Sequence, residues 1–113
     1  MDDGYVRVGS SGVYDFDTNS QAIEGAARLA AEQGCKGIMF DIRNLIHREY
    51  HVTAIRHVKS IRELGIKPDN RIAVLGKPED AAMLEYFETI SLNRGVMVKS
   101  FTDEEDAIAW LKN

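Results

Sequence analysis

An α/β domain built on a mainly parallel sheet is the fold this sequence predicts. Apolar runs of strand length alternate along the chain with stretches of helical periodicity, and strands joined through helices pair in parallel by right-handed crossovers. Two of the runs, Ile38–Ile42 and Ile72–Leu75, are apolar at nearly every position, as strands covered on both faces are. Two others, Tyr5–Val8 and Val96–Phe101, mix polar with apolar residues and suit the sheet margins. The expectation is a single domain over residues 1–113, with about five strands, an antiparallel edge strand at the N-terminus and four helices.

Taken in order, Tyr5–Val8 alternates as a half-exposed strand, Gly9-Ser10-Ser11-Gly12 reads as a turn, and Val13–Phe16 as a second strand, so the start of the chain is expected to be a hairpin. Thr18 with Gln21 has the spacing of a capping box. The helix it opens places Ile23, Ala26, Ala27 and Ala30 on one face, small enough to sit close to a sheet, and Gly34 stops it. After the central strand come a polar turn, Arg43–His51, and a helix whose apolar residues Val52, Ile55, Val58 and Ile61 recur every third position up to Gly65. Pro68-Asp69-Asn70 turns the chain into Ile72–Leu75. Pro78 then suits a first helical turn, with Glu79 and Asp80 complementing the positive helix end and Met83, Tyr86, Phe87 and Ile90 as the inward stripe. Lys99 marks the last strand as an edge, since a lysine there discourages pairing between molecules. Thr102 with Glu105 gives a second capping-box spacing, before a helix with Ala107, Ile108 and Leu111 inward and Trp110 beside them.

Composition narrows the function classes. A net charge of −4 argues against a general nucleic-acid binder. Cys35 is the only cysteine, which excludes an intrachain disulfide and a thiolate metal cluster. No apolar run approaches the ~20 residues of a membrane span. The acidic Met1-Asp2-Asp3-Gly4 opening is no secretory signal, and a cytoplasmic location is expected.

Four stretches resemble the STAS superfamily, the fold of anti-sigma-factor antagonists, and more narrowly a bacterial branch related in fold to CRAL-TRIO-like domains. Gly12-Val13-Tyr14-Asp15 resembles the glycine-x-x-aspartate at the end of that family's second strand, and Ile38–Leu45 its central strand ending in aspartate. Arg71–Gly76 resembles the next strand, and Val98–Asp103 with Ala107, Trp110 and Leu111 the closing strand and helix. The resemblance implies the architecture and a regulatory or binding role. One departure weighs against the best-known mechanism of that family. Its phosphorylated serine stands at the start of the helix after the central strand, where this chain has Glu49-Tyr50-His51-Val52-Thr53. Tyr50 and Thr53 supply hydroxyls there, but the serine is missing and a phosphoryl switch is not expected. A lipid cavity like that of the CRAL-TRIO carriers needs a larger domain than this.

The candidate site follows from topology. In open α/β sheets ligands meet the loops at the carboxyl ends of parallel strands. Those loops gather Arg43, Asn44, His47, Arg48, His51 and Lys77, and helix N-termini add unpaired N–H groups. This set favours a small anion or a protein partner. The plainer account is that the cations are solvated and pair with Asp41 and Glu49. The three histidines lack ligand spacing, so no metal is expected, and no cofactor motif is present: Gly76-Lys77 is not the full phosphate loop. The leading expectation is a non-catalytic regulatory or binding module. One alternative is a small enzyme with His47 or His51 as general base beside an arginine clamp. Another is an oligomerising structural subunit, a homodimer in the simplest case.

Overall fold

Ile38, Met39, Phe40 and Ile42 are buried on both faces of strand β2 (Gly37–Ile46), as a continuous apolar run requires. The computed structural model describes residues 4–13, 16–46 and 63–112, and β2 lies at the middle of what it shows. Strand β1 (Tyr5–Val13) pairs on one side of it and β3 (Arg71–Leu75) on the other, with β4 (Met97–Phe101) beyond β3. All three pairings are parallel, in the order β1-β2-β3-β4. Helix α1 (Phe16–Gln33) follows β1, α2 (Ala81–Asn93) follows β3 after a 3-10 turn at Pro78–Asp80, and α3 (Glu104–Lys112) follows β4.

The two faces are covered unequally. Val6, Ile38, Phe40, Ile42, Ile72, Val74 and Val98 point to one face, under Ile23, Ala26, Ala27 and Ala30 of α1 and Leu84 and Phe87 of α2. Right-handed crossovers between successive neighbours put the connecting helices on one side. Tyr5, Met39, Ala73 and Leu75 point the other way and meet Ala107 and Leu111 of α3, the one described helix on that face.

Short local devices fix the ends. Gly34, at a left-handed φ of 69°, closes α1. The buried Asn70 side chain accepts from the Lys67 N–H at 2.7 Å and donates to the Lys36 carbonyl at 3.0 Å, tying the turn before β3 to the start of β2. The Asp103 carboxylate accepts from the N–H groups of Glu105 (2.8 Å) and Asp106 (3.2 Å), capping α3 one residue later than the Thr102 spacing suggests.

Several expectations need correction. The N-terminal edge strand is parallel, not antiparallel, and no hairpin forms: Gly9 and Val13 belong to one strand and Phe16 already opens α1. Gly9 stays outside the left-handed region, so the glycine-serine stretch extends instead of reversing. The reason lies in β2, which is long enough to pair with β1 from Tyr5 to Val13. The described sheet therefore has four strands. The fourth helix, expected over Val52–Leu64, falls mostly outside the described residues, as do the turn residues from His47. On α2, Phe87 is buried and Met83 and Ile90 pack against the core as expected, joined by Leu84 and Ser91, while Tyr86 is turned out and 42% exposed. An apolar count overlooks the buried Ser91 and places the amphipathic Tyr86 inward.

Candidate functional site

The carboxyl ends of β2 and β3 leave the sheet side by side, because Asp41 is level with Leu75 in a parallel ladder. β2 runs on past this point, so Arg43 and Asn44 lie on the strand and not in a loop after it. The continuation is irregular. Gly9 pairs with Asp41 and Ser11 with Asn44, so β2 carries one residue more than β1 across this step. Such a bulge interrupts the ladder and leaves backbone groups without strand partners. The Asp41 carboxylate fills the gap, its Oδ1 accepting from the Arg43 N–H at 3.2 Å.

Arg43 folds back on the same carboxylate, Nε to Oδ1 at 2.9 Å and Nη2 to Oδ2 at 2.7 Å, a two-pronged contact. Arg7 reaches Asp41 Oδ2 from β1 at 3.0 Å, and its Nη1 lies 3.2 Å from Met39 Sδ. Glu104, in the first turn of α3, receives Arg7 at 2.8 Å and Arg43 at 3.2 Å. Two guanidiniums and two carboxylates from four places in the sequence thus form one network on the face that α3 covers. The Asp41 side chain is only 12% exposed, against 39% to 41% for the other three. The Arg43 hydrogen bond holds the Asp41 carboxyl below the ordinary aspartate range; burial opposes it, while the Arg43 N–H and the Arg43 and Arg7 charges reinforce it. Arg43 is pushed up in turn by the Asp41 hydrogen bond.

Lys77 stands at the exit of β3, with Nζ 3.4 Å from Glu79. Gly76 before it donates its N–H to the Phe101 carbonyl at 2.9 Å, and a Cβ at Gly76 would come within 2.6 Å of Leu84 Cδ1. A side chain there would push into the buried Leu84, so this exit is built around glycine.

Of the six expected ligand-binding residues, Arg43, Asn44 and Lys77 are described and all lie at the carboxyl end of the sheet. Arg43 is engaged by Asp41 and Glu104, the pairing with Asp41 that the plainer account foresees, and Asn44 is exposed. His47, Arg48 and His51 lie outside the described residues, with Tyr50 and Thr53. Sequence reasoning missed Arg7 and Glu104. Arg7 alternates with apolar neighbours on an edge strand, which places it on the Met39–Asp41 face, but the expected hairpin hid that pairing. Glu104 sits in an acidic first turn that helix electrostatics already explain.

A cleft of about 190 Å³ lies at the opposite, amino end of the sheet, lined in part by Gly34, Cys35, Lys67 and Asn70. Among the described residues no group of three or more His, Cys, Asp and Glu side chains gathers as a metal site, and no helix is long and apolar enough to cross a membrane. Comparison with family models, curated proteins and solved structures finds no match to this chain.

Proposed function

We propose that this chain is a non-catalytic, STAS-like binding module that engages a partner through the rim at the carboxyl ends of β2 and β3. The observation that carries the reading is the convergence of Arg43, Asn44 and Lys77 at one end of two adjacent parallel strands. The charge state of the rim supports binding over catalysis. Asp41, half-buried and clamped by two arginines, stays ionised and makes a poor proton donor or acceptor near neutral pH. The same pairing favours a protein over a small anion. Arg43 already has two carboxylates and Lys77 has Glu79, so a lone anion must displace them, whereas a protein surface can meet mixed charges in place.

Two measurements test this. Backbone-amide NMR with inorganic phosphate should show no saturable shift at Asn44, Gly76 or Lys77; saturation there favours the anion. Affinity capture from the source organism should retain a protein on the wild-type chain and lose it on Lys77→Glu combined with Asn44→Ala. These changes leave the Asp41 network alone. Equal capture by both chains removes the rim as the site.

A further inference from the structure

We infer that the exposed strip of sheet face between α3 and the β4 margin is a docking site for a short acidic segment of a partner protein, one that carries a single apolar side chain. Met97, Lys99 and Phe101 alternate with the buried Val98, so all three lie on the face that α3 covers. α3 packs over Met39, Ala73 and Leu75, nearer the middle of the sheet. The β4 side of that face stays partly in solvent: Met97 is 44% exposed, and Lys99 is exposed as well. Arg71, level with Met97 on β3, reaches the end of α3. Its Nη1 donates to the Trp110 carbonyl at 2.8 Å, and its guanidinium carbon lies 5.4 Å from the indole centre. Trp110 meets Phe101 at 5.8 Å between ring centres, and Lys99 Nζ lies 5.7 Å from the Phe101 ring. Lys112, in the last turn of α3, is another exposed cation.

Charge complementarity selects the occupant. The chain has 18 acidic against 14 basic residues, so cations are the scarcer charge and should all find carboxylates. Among the described residues Arg7, Arg28, Lys36, Arg43 and Lys77 do. Arg71 and Lys99 meet rings and a backbone carbonyl instead, and neither they nor Lys112 pair with a carboxylate among those residues. Cations left over around an exposed methionine complement carboxylates that flank an apolar group. The flexible thioether of Met97 suits such a contact.

Other occupants fit less well. A free anion would satisfy the cations and leave Met97 in water. A single-stranded nucleic acid stacks its bases on open rings, and each ring here already has a cation over it. Its continuous charge would also run into Asp103, Glu104, Glu105 and Asp106 at the other end of α3. A broad folded surface would rest on α3, a helix roughly 10 Å across, and be held off the strip. A second copy placed by a two-fold axis would set these cations against themselves. Nor does the segment add a strand to the sheet. The Phe101 carbonyl accepts from Gly76 toward β3, so the neighbouring Ser100 N–H points outward, where Glu88 of α2 takes it at 3.3 Å and the Ser100 hydroxyl at 2.7 Å. With that edge guarded, the segment lies on the face, along the roughly 13 Å from Met97 to Phe101.

Fluorescence anisotropy with a short labelled peptide of glutamates around one leucine tests the inference. Saturable binding that weakens with added salt is expected, with NMR shifts at the amides of Met97, Lys99 and Lys112 and at the Trp110 indole. Lys99→Glu should weaken binding roughly tenfold or more, and Met97→Ser should weaken it too, with circular dichroism confirming that each still folds. If one variant does not fold, the other decides. Lys67→Glu, a charge reversal beside the cleft at α1, should leave binding unchanged. A peptide with serine in place of leucine should bind more weakly. The proposal is overturned by no saturable binding up to millimolar peptide, by equal binding to both folded variants or of the serine peptide, or by an equal loss with Lys67→Glu. Tighter binding of a single-stranded oligonucleotide overturns it, as does self-association that Lys99→Glu abolishes. None of these changes touches Asn44 or Lys77, so failure here leaves the rim reading standing.

Discussion

Asp41 does two jobs through one carboxylate: it caps the bulge at Arg43 and anchors the arginines that reach α3. Its folded pKa is depressed, so its contribution to stability is present above about pH 4, where an unfolded aspartate is ionised, and is lost as pH falls through the lower folded value. Thermal melts should therefore show the wild type losing more stability than Asp41→Asn between about pH 5 and pH 3. Parallel losses would mean the network adds nothing. Asn70 is a second residue whose worth lies in two bonds to backbone. Asn70→Ala leaves the Lys67 N–H and the Lys36 carbonyl without that partner and should cost about 1–3 kcal/mol in urea unfolding. Neither role was legible in the sequence. An aspartate after an apolar run and an asparagine after Pro68-Asp69 both read as ordinary boundary residues, since their partners are set by which strands pair.

Among the elements, those with strong periodicity were legible. The alanine face of α1, the two buried strands and the lysine-marked edge all stand where hydrophobic pattern placed them, because burial is what the pattern records. The failures share a physical cause. A glycine-serine run is compatible with a turn or with an extended margin strand, and only the length of β2 decides between them. On α2 three of the four expected stripe residues face the core, and the exceptions are Tyr86, which is exposed, and Ser91, a polar residue that is fully buried in its stead. On α3 two adjacent residues, Thr102 and Asp103, could both cap, and the aspartate does. Asp103→Ala should lower stability by about 1 kcal/mol, with Thr102→Ala close to neutral. The reverse order in chemical denaturation would return the cap to the threonine. The position of Arg43, Asn44 and Lys77 at the carboxyl end of the sheet was legible from strand order alone, whereas Arg7 and Glu104 come from opposite ends of the sequence and no local pattern joins them.

For the molecule as a whole, the asymmetry between the two faces of the described sheet matters most. α3 carries the cover of one face with a short helix tied at its start by Glu104, so Glu104→Gln should raise amide hydrogen exchange across α3 and at Tyr5 and Met39 more than in α1. Uniform exchange would mean the apolar contacts of Ala107 and Leu111 hold it unaided.

The all-parallel ladder also bears on how quickly the chain reaches this arrangement. Tyr5 waits for Gly37, and Gly37 for Arg71, so no two of the described strands can zip together from a tight reversal. Chain closure must come before any ladder is rewarded, which slows the search and leaves unpaired strands exposed to neighbouring molecules during synthesis. Glu88 and Lys99 would guard the last strand from the moment it emerges, whereas the first strand has to await its mate.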